Sequence, residues 1–426
     1  MQLTFITNSM KALISCLFYM LLTMYVSCTS SNTSLIDYQQ LSDEERGQIA
    51  MEIAQHTIIV DGHVDLPYRM HHQGYKPDGE IMNVSKRTKT GDFDYPRSKA
   101  GGLDAPFMSI YISTKYQGSG EAKLLADSLI LMTKEIAAKW PDKFAMAYNP
   151  TDILHNFEAG RISLPLGMEN GAPLEGKLQN LDYFYDQGIR YITLTHGKDN
   201  LIGDSSYDTT YTHGGLSDFG VEVVKKMNQL GMMVDISHVS DATFNDVIKI
   251  SKVPVIASHS SSRHFTPGFE RNMDDQMISK LGKNGGVIMI NFGGDFIDGT
   301  FGENNRKVKE HIANWLKEND YNKDDPEAIA YIEKYYNEND PYPSVSHVAD
   351  HIDYVREIVG IDHIGFGSDF DGVGDTLPTG LKDVSMYPNL IAELLKRGYT
   401  KEDIEKICYK NIFRVWEEVI DYSKKH

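Results

Sequence analysis

Residues 232–259, MMVDISHVSDATFNDVIKISKVPVIASH, decide how the chain is read. MMVDISH and VPVIASH are short apolar runs with β-branched character. Between them SDATFNDVIKIS, 240–251, has helical period and opens on Ser240, a residue suited to capping. Strand, helix, strand is a parallel crossover unit, because buried parallel strands are apolar on both faces and need a helix to bring the chain back. Both strands also end on a histidine, His238 and His259.

The alternation continues outward from this unit. TIIVDGH, which starts at residue 57, then PFMSIYI, ISLPLGME and IRYITLTH precede it, and GVIMINF and HIGFGSD follow it, eight strands in all. Helical patterns occupy EAKLLADSLILMTKEIAAKW (121–140), DFGVEVVKKMNQLG (218–231) and VADHIDYVREIVG (348–360). Asp218 is suited to capping the second of these, and Gly231 and Gly360 close the last two. This repetition predicts an α/β fold, a parallel (β/α)8 TIM-like barrel, with an open doubly wound sheet as the structural alternative. The stretch 301–343 is rich in charge, Asn and Tyr and lies between the seventh and eighth strands, so it reads as a helical insertion on the rim.

Of the 426 residues, 41% are hydrophobic and 24% charged, as expected of a chain that folds around a core. Sixty acidic against 42 basic residues give a formal charge of −18, which disfavours a phosphate-binding face, and no Lys/Arg-dense, aromatic-interleaved stretch appears. Nucleic acid is therefore not an expected partner. G-x-G-x-x-G and the Walker P-loop are both absent.

The first 28 residues differ from the rest. Lys11 precedes ALISCLFYMLLTMYVSC, an apolar run of signal-peptide length followed by the polar TSSNTS, which predicts export. YVSC at 25–28 looks like a bacterial lipoprotein cleavage box, with Cys28 as the lipidated residue and the only expected membrane attachment; Tyr25 departs from the Leu usual there, and ordinary cleavage nearby is the alternative. Residues 29–48 then form a tether and 49–422 a single (β/α)8 barrel domain, with the insertion 301–343, in the bacterial envelope or periplasm. Cys16 leaves with the signal and Cys408 has no partner, so no internal disulfide is expected.

Barrels of this kind place their chemistry where the strands run out. Six of the eight strands end on a histidine or an acid: His63 with Asp65, Glu169, His196, His238, His259 and Asp369. Imidazole and carboxylate suit a borderline cation such as Zn²⁺, and usable cysteine is lacking. H-x-D sets His63 and Asp65 on one face of a strand, within reach of a single ion. His238 and His259, on neighbouring strands, could hold a second ion, with Glu169 between the two groups as a bridge.

DGHVDLP, GMENG, YITLTH, DISHVS, PVIASHSSSR, RNMDD, GFGSDFDGV and the stretch from YPNLIAELLKRGYTKED to the C-terminal helix occur in the order found in the membrane (renal-type) dipeptidases, the M19 family of zinc metallopeptidases. From about residue 50 to 420 the chain resembles a bacterial member. The resemblance implies that His63 and Asp65 bind one zinc, His238 and His259 a second, and Glu169 both. It implies that His196 binds substrate at the tetrahedral oxyanion, that Arg271 pairs with the substrate's terminal carboxylate, and that Asp369 binds substrate and shuttles the proton. Asp371, two places on, is the residue to confuse with Asp369. The implied activity is hydrolysis of dipeptides, including those with a C-terminal D-residue, by a metal-bridging hydroxide in a homodimer. Gly293 stands where vertebrate members have a tyrosine after NF, so that substrate contact is missing or comes from elsewhere. Two other readings use the same residues: a binuclear amidohydrolase acting on N-acyl amino acids or cyclic amides, and a non-catalytic exported binding lipoprotein.

Overall fold

Eight parallel strands close on themselves in the computed structural model, which describes residues 37–76 and 82–426. The strands among these residues are β1 (Ile59–Val64), β2 (Leu103–Tyr111), β3 (Phe144–Met146), β4 (Ile162–Leu164), β5 (Leu166–Glu169), β6 (Ile189–Thr193), β7 (Met233–Asp235), β8 (Ile256–Ser260), β9 (Val287–Ile290) and β10 (Ile364–Phe366). Around the barrel the order is β1, β2, β5, β6, β7, β8, β9, β10, and the ring shuts where Asp61 of β1 pairs with Phe366 of β10. Leu41–His426 form one compact unit, which the helix Asp43–His56 enters ahead of residue 49. The export signal and Cys28 lie outside the described residues; no described helix is long and apolar enough to cross a membrane.

One predicted strand is two. Pro165 divides ISLPLGME: Ile162–Leu164 turns aside to pair with Phe144–Met146, and only Leu166–Glu169 enters the barrel, between β2 and β6. A proline has no N–H to give a ladder; β2 accommodates Pro106 next to a register shift, whereas at Pro165 the chain changes sheet. Of the other barrel strands, β1 and β8 run through the histidine that ends each apolar run, whereas β6, β7 and β10 stop three residues before His196, His238 and Asp369. The helix starting near 218 is capped by Ser217, whose hydroxyl accepts from the Gly220 N–H, rather than by Asp218; Gly231 closes it in the left-handed conformation. Ser240 caps the helix Asp241–Ile250 as expected from its position. The final crossover helix, Val345–Val359, begins three residues before the predicted start.

The first residues of the strands build the apolar core. Val60, Ala105, Phe107, Tyr191, Met233, Ile256, Val287 and Met289 share one buried cluster with Ile412, Val415, Trp416 and Val419 of the C-terminal helix Asn411–Ser423. The Phe107 ring lies 5.3 Å from that of Tyr191 and 5.2 Å from that of Trp416. Burial of each Val, Ile, Met or Phe here contributes roughly 1.5–3 kcal/mol. The apolar cluster thus occupies one end of the barrel and leaves the C-terminal strand ends to polar residues.

Residues 301–343 hold two helices, Phe301–Glu318 and Pro326–Glu338, between β9 and β10. Their aromatic residues stack: Trp315 on Tyr331 at 3.8 Å and His311 on Tyr335 at 4.1 Å, each pair with nearly parallel planes.

Candidate metal centre and active site

One of the predicted site residues ends its strand, Glu169 as the last of β5, and His63 is the penultimate residue of β1. His259 is the penultimate residue of β8. Asp65, predicted on the strand face beside His63, instead lies past β1 as the N-cap of the helix Leu66–His72. His196, His238 and Asp369 each stand three residues beyond a strand end, after Thr193, Asp235 and Phe366. His238 (φ 66°), Asp369 (φ 63°) and Asn170 (φ 80°), next to Glu169, adopt the left-handed conformation. Asn, Asp and His tolerate it better than most residues, and its concentration at one rim marks backbone held for a purpose.

Glu169 is the centre of the arrangement. One carboxylate oxygen, Oε2, lies 3.4 Å from His63 Nε2; the other, Oε1, lies 3.0 Å from His238 Nε2, 3.4 Å from His259 Nε2 and 3.5 Å from His196 Nε2. His63 Nε2 is also 3.4 Å from Asp65 Oδ2, and the Nε2 atoms of His238 and His259 approach to 2.9 Å. By distance the donors fall into three overlapping sets: His63, Glu169 and His259; Glu169, His196 and His238; His63, Asp65 and Asp369. The structure therefore brings all the predicted residues except Arg271 into one polar cluster, with Arg271 directly behind it.

Partners outside the cluster orient the imidazoles. The Tyr191 hydroxyl donates to the Gly62 carbonyl at 2.9 Å, so its remaining contact, 3.0 Å to His63 Nδ1, is one in which the ring N–H donates. Ser258 likewise donates to Asp235 at 2.6 Å and so accepts from His259 Nδ1 at 2.7 Å. Both rings then turn Nε2 toward Glu169. His63 Nε2, Asp65 Oδ1, His196 Nδ1 and His238 Nδ1 are buried with no hydrogen-bond partner. Buried polar atoms are costly when unpaired, so this set of imidazole and carboxylate donors fits a bound cation.

The charges agree. Burial would raise the Glu169 carboxyl, but His63, His196, His238 and His259 hold it well below the usual carboxylate range. Burial, helped by Arg271, keeps His238 and His259 well below the ordinary imidazole value, hence neutral. At His63 burial is outweighed by Tyr191, Glu169 and Asp65, which draw its pKa well up. The same negative field that would fix a proton at Nε2 would fix a metal cation.

Asp369 is pushed up to about 7, by burial and by Asp65 and Glu169, against the pull of His63 and Asn291. Asn291 Nδ2 donates to its Oδ2 at 2.8 Å, and the amide cannot flip because its Oδ1 accepts from the Gly293 N–H at 2.7 Å. Asp65 and Asp369 crowd Gly372 from either side: a Cβ there would meet both carboxylates at 2.2–2.3 Å. Asp371 faces elsewhere, in an ion pair with Arg69 at 2.8 Å. Arg271 is buried, with Nη1 donating to Ser260 Oγ and Nη2 to the His259 carbonyl, both at 2.7 Å, while its Nε has no partner.

A cleft of about 420 Å³ opens above the cluster, lined by Tyr68, Tyr111, His196, Tyr207, Asp369 and Thr376 among others. A larger cavity of about 590 Å³ lies between the loops that follow β2, β5 and β6, but it holds none of the convergent donors, so chemistry places the site in the smaller cleft. Sequence reading missed Tyr191, Asp235, Ser258 and Asn291. The available signal was a polar side chain inside or ending an apolar strand run, which a fold keeps buried only with a partner.

A sequence model of the family described as membrane dipeptidase (Peptidase family M19) matches residues 48–426. The dipeptidase verJ of Clonostachys rogersoniana is 33% identical over 388 residues, 88% of each chain. Among solved structures, the probable dipeptidase PvdM of Pseudomonas aeruginosa matches with a TM-score of 0.74 at 25% identity, covering 89% of this chain and 99% of its own. A metallopeptidase of Rhodobacter sphaeroides, liganded with a phosphinate mimic of the dipeptide L-Ala-D-Ala, matches in fold with a TM-score of 0.67 at 22% identity, over 85% of this chain and 99% of its own.

Proposed function

This chain belongs to the membrane dipeptidase family, peptidase family M19, and from that premise we propose that it hydrolyses dipeptides, those with a C-terminal D-residue included, using two zinc ions. Its class is that of a metallo-dipeptidase. The observation that carries the finer reading is the position of Glu169, whose two oxygens face separate histidines, His63 on one side and His238 with His259 on the other. In this reading His63 and Asp65 hold one ion, His238 and His259 the other, and Glu169 both. When bound, such a pair supplies a hydroxide at neutral pH, by lowering the pKa of water toward ~7, and polarises the scissile carbonyl.

The remaining steps belong to side chains. Arg271, anchored by Ser260 and the His259 carbonyl, keeps its Nε–H and one N–H on each terminal nitrogen for the substrate's free carboxylate, a pairing that the planar guanidinium makes with two parallel hydrogen bonds. His196 is the substrate's imidazole rather than a ligand because its side chain is 21% exposed, against 0%, 6% and 1% for His63, His238 and His259. It donates to the carbonyl oxygen as negative charge develops there, where preorganised donors act most strongly. Asp369, on the cleft wall beside His63 and Asp65, is placed both to accept a proton from the attacking water and to return it to the departing amine. Asn291 holds its Oδ2, which leaves Oδ1 to carry that proton.

Metal analysis of the purified protein, combined with assays of Gly-D-Ala, L-Ala-L-Ala and N-acetyl amino acids, tests the proposal. The expected result is two zinc ions per chain, cleavage of the dipeptides, and loss of both after exhaustive chelation. Full activity with no metal retained, or cleavage of the N-acyl compounds alone, would overturn it.

A further inference from the structure

The catalytic cleft continues past Asp369. Tyr207, Asp295 and Phe296 line it and also line a second hollow of about 420 Å³, whose further walls include Pro267, Phe269 and Asp298. From this shared wall we infer that the hollow receives the side chain of the substrate's C-terminal residue, and that Asp295 makes it selective for a cationic one. The inference rests on the dipeptidase reading above.

Four observations support it. Asp295 is exposed on the one-turn helix Gly294–Ile297, and among the described residues no side chain hydrogen-bonds or ion-pairs with its carboxylate; Lys309 acts on it only through space. Asp298, by contrast, spends one oxygen on the backbone N–H and hydroxyl of Thr300, both at 2.8 Å. The described lining of the two hollows carries no lysine or arginine, so the charge of Asp295 is free for a ligand. The rings around it form an open box: Tyr207 lies 6.0 Å from Phe269 and Phe269 lies 5.7 Å from Phe296, both edge to face. A carboxylate among aromatic faces attracts an ammonium or guanidinium group and gives little to an anion.

Orientation follows from Arg271. Its guanidinium carbon is 5.1 Å from the Phe296 ring, so a substrate whose free carboxylate sits on Arg271 has the side chain of that same residue beside the hollow. The N-terminal residue lies on the other side of the scissile bond, toward His196. Gly293 leaves room for the wall of the hollow. A Cβ at that position would stand 2.8 Å from Val373 Cγ1 and 3.0 Å from Phe296 Cδ2, so Phe296 occupies space that a larger residue at 293 would need.

The test compares kcat/KM of the zinc-loaded full chain for L-Ala-L-Ala, L-Ala-L-Lys, L-Ala-L-Glu and L-Lys-L-Ala, in the wild type, Asp295→Asn and Asp295→Lys. We expect L-Ala-L-Lys to exceed L-Ala-L-Ala by about tenfold in the wild type, a ratio that falls to about one in Asp295→Asn. In Asp295→Lys the preference should turn toward L-Ala-L-Glu, a gain that damage to the fold could not produce. A wild type with no preference for L-Ala-L-Lys would overturn the inference and leave the dipeptidase reading standing. So would a ratio unchanged in both variants, or an effect of Asp295 equal for L-Lys-L-Ala. A zinc-loaded chain that cleaves none of the four would overturn both.

Discussion

Asp369 and Asp371 stand two residues apart, both with buried carboxylates, both with positive φ, and both pushed up to about 7. Their surroundings separate them. Asp371 accepts from Arg69 at 2.8 Å and from the Asp92 N–H at 2.6 Å, within a network where Arg97 also pairs with Asp94 at 2.7 Å and with Asp383 at 3.3 Å. In that network opposite charges answer one another. Around Asp369 no guanidinium pairs with the carboxylates: Asp65, Glu169 and four imidazoles converge, and several of their atoms have no hydrogen-bond partner. The first cluster holds loops to the barrel, and the second is built for something that comes from outside the chain. Burial, shifted pKa and unpartnered atoms alone would not tell them apart, since Asp371 Oδ2 and Arg69 Nε also lack partners; what differs is that a guanidinium answers the carboxylate of Asp371, whereas imidazoles and carboxylates converge around Asp369.

Substitutions can break or sharpen that contrast. The largest effect is expected from Asp369→Asn, which keeps the Asn291 contact but cannot carry a proton: kcat should fall by about 10²–10⁴-fold with zinc content unchanged. A smaller effect is expected from Tyr191→Phe. Losing the acceptor for His63 Nδ1–H should weaken zinc binding by about 10–100-fold in a competitive chelator titration, and activity should return when zinc is added. Asp371→Asn should act only on stability. Weakening the pair with Arg69 should cost about 1–3 kcal/mol in denaturant unfolding, and kcat/KM measured on the folded protein should stay within about twofold of wild type. If Asp371→Asn proved the catalytic lesion and Asp369→Asn the stability lesion, the two clusters would have been assigned the wrong way round.

Much of this was legible before any coordinates. The eight apolar runs locate the eight barrel strands, since β-branched residues between helical crossovers leave few other arrangements. His63, Glu169 and His259 were placed correctly because they lie within their strands, where the apolar pattern itself carries them to the rim. Asp65 was placed on the wrong element for a reason of backbone geometry. Alternation puts i and i+2 on one face only while the strand continues, and β1 gives way to a helix at Asp65. His196, His238 and Asp369 lie in loops, and their convergence depends on turns that propensity does not specify.

The remaining misses are also physical. Pro165 signalled a break that the apolar character of its neighbours concealed, and three residues at Phe144–Met146 are too few for a period. Tyr191, Asp235, Ser258 and Asn291 are polar side chains within or just past barrel strands, and whether such a residue points at a histidine depends on register between strands. A single sequence leaves that register open.

The central claim is that the donors around Glu169 hold two ions while the charges around Asp371 hold none. Anomalous diffraction at the zinc edge from crystals of the full chain tests it most directly. We predict two peaks flanking the Glu169 carboxylate, one beside His63 and Asp65 and one beside His238 and His259, with no peak near Arg69. A zinc-supplemented crystal with ordered His63, Glu169 and His259 side chains and no peak among them would contradict it.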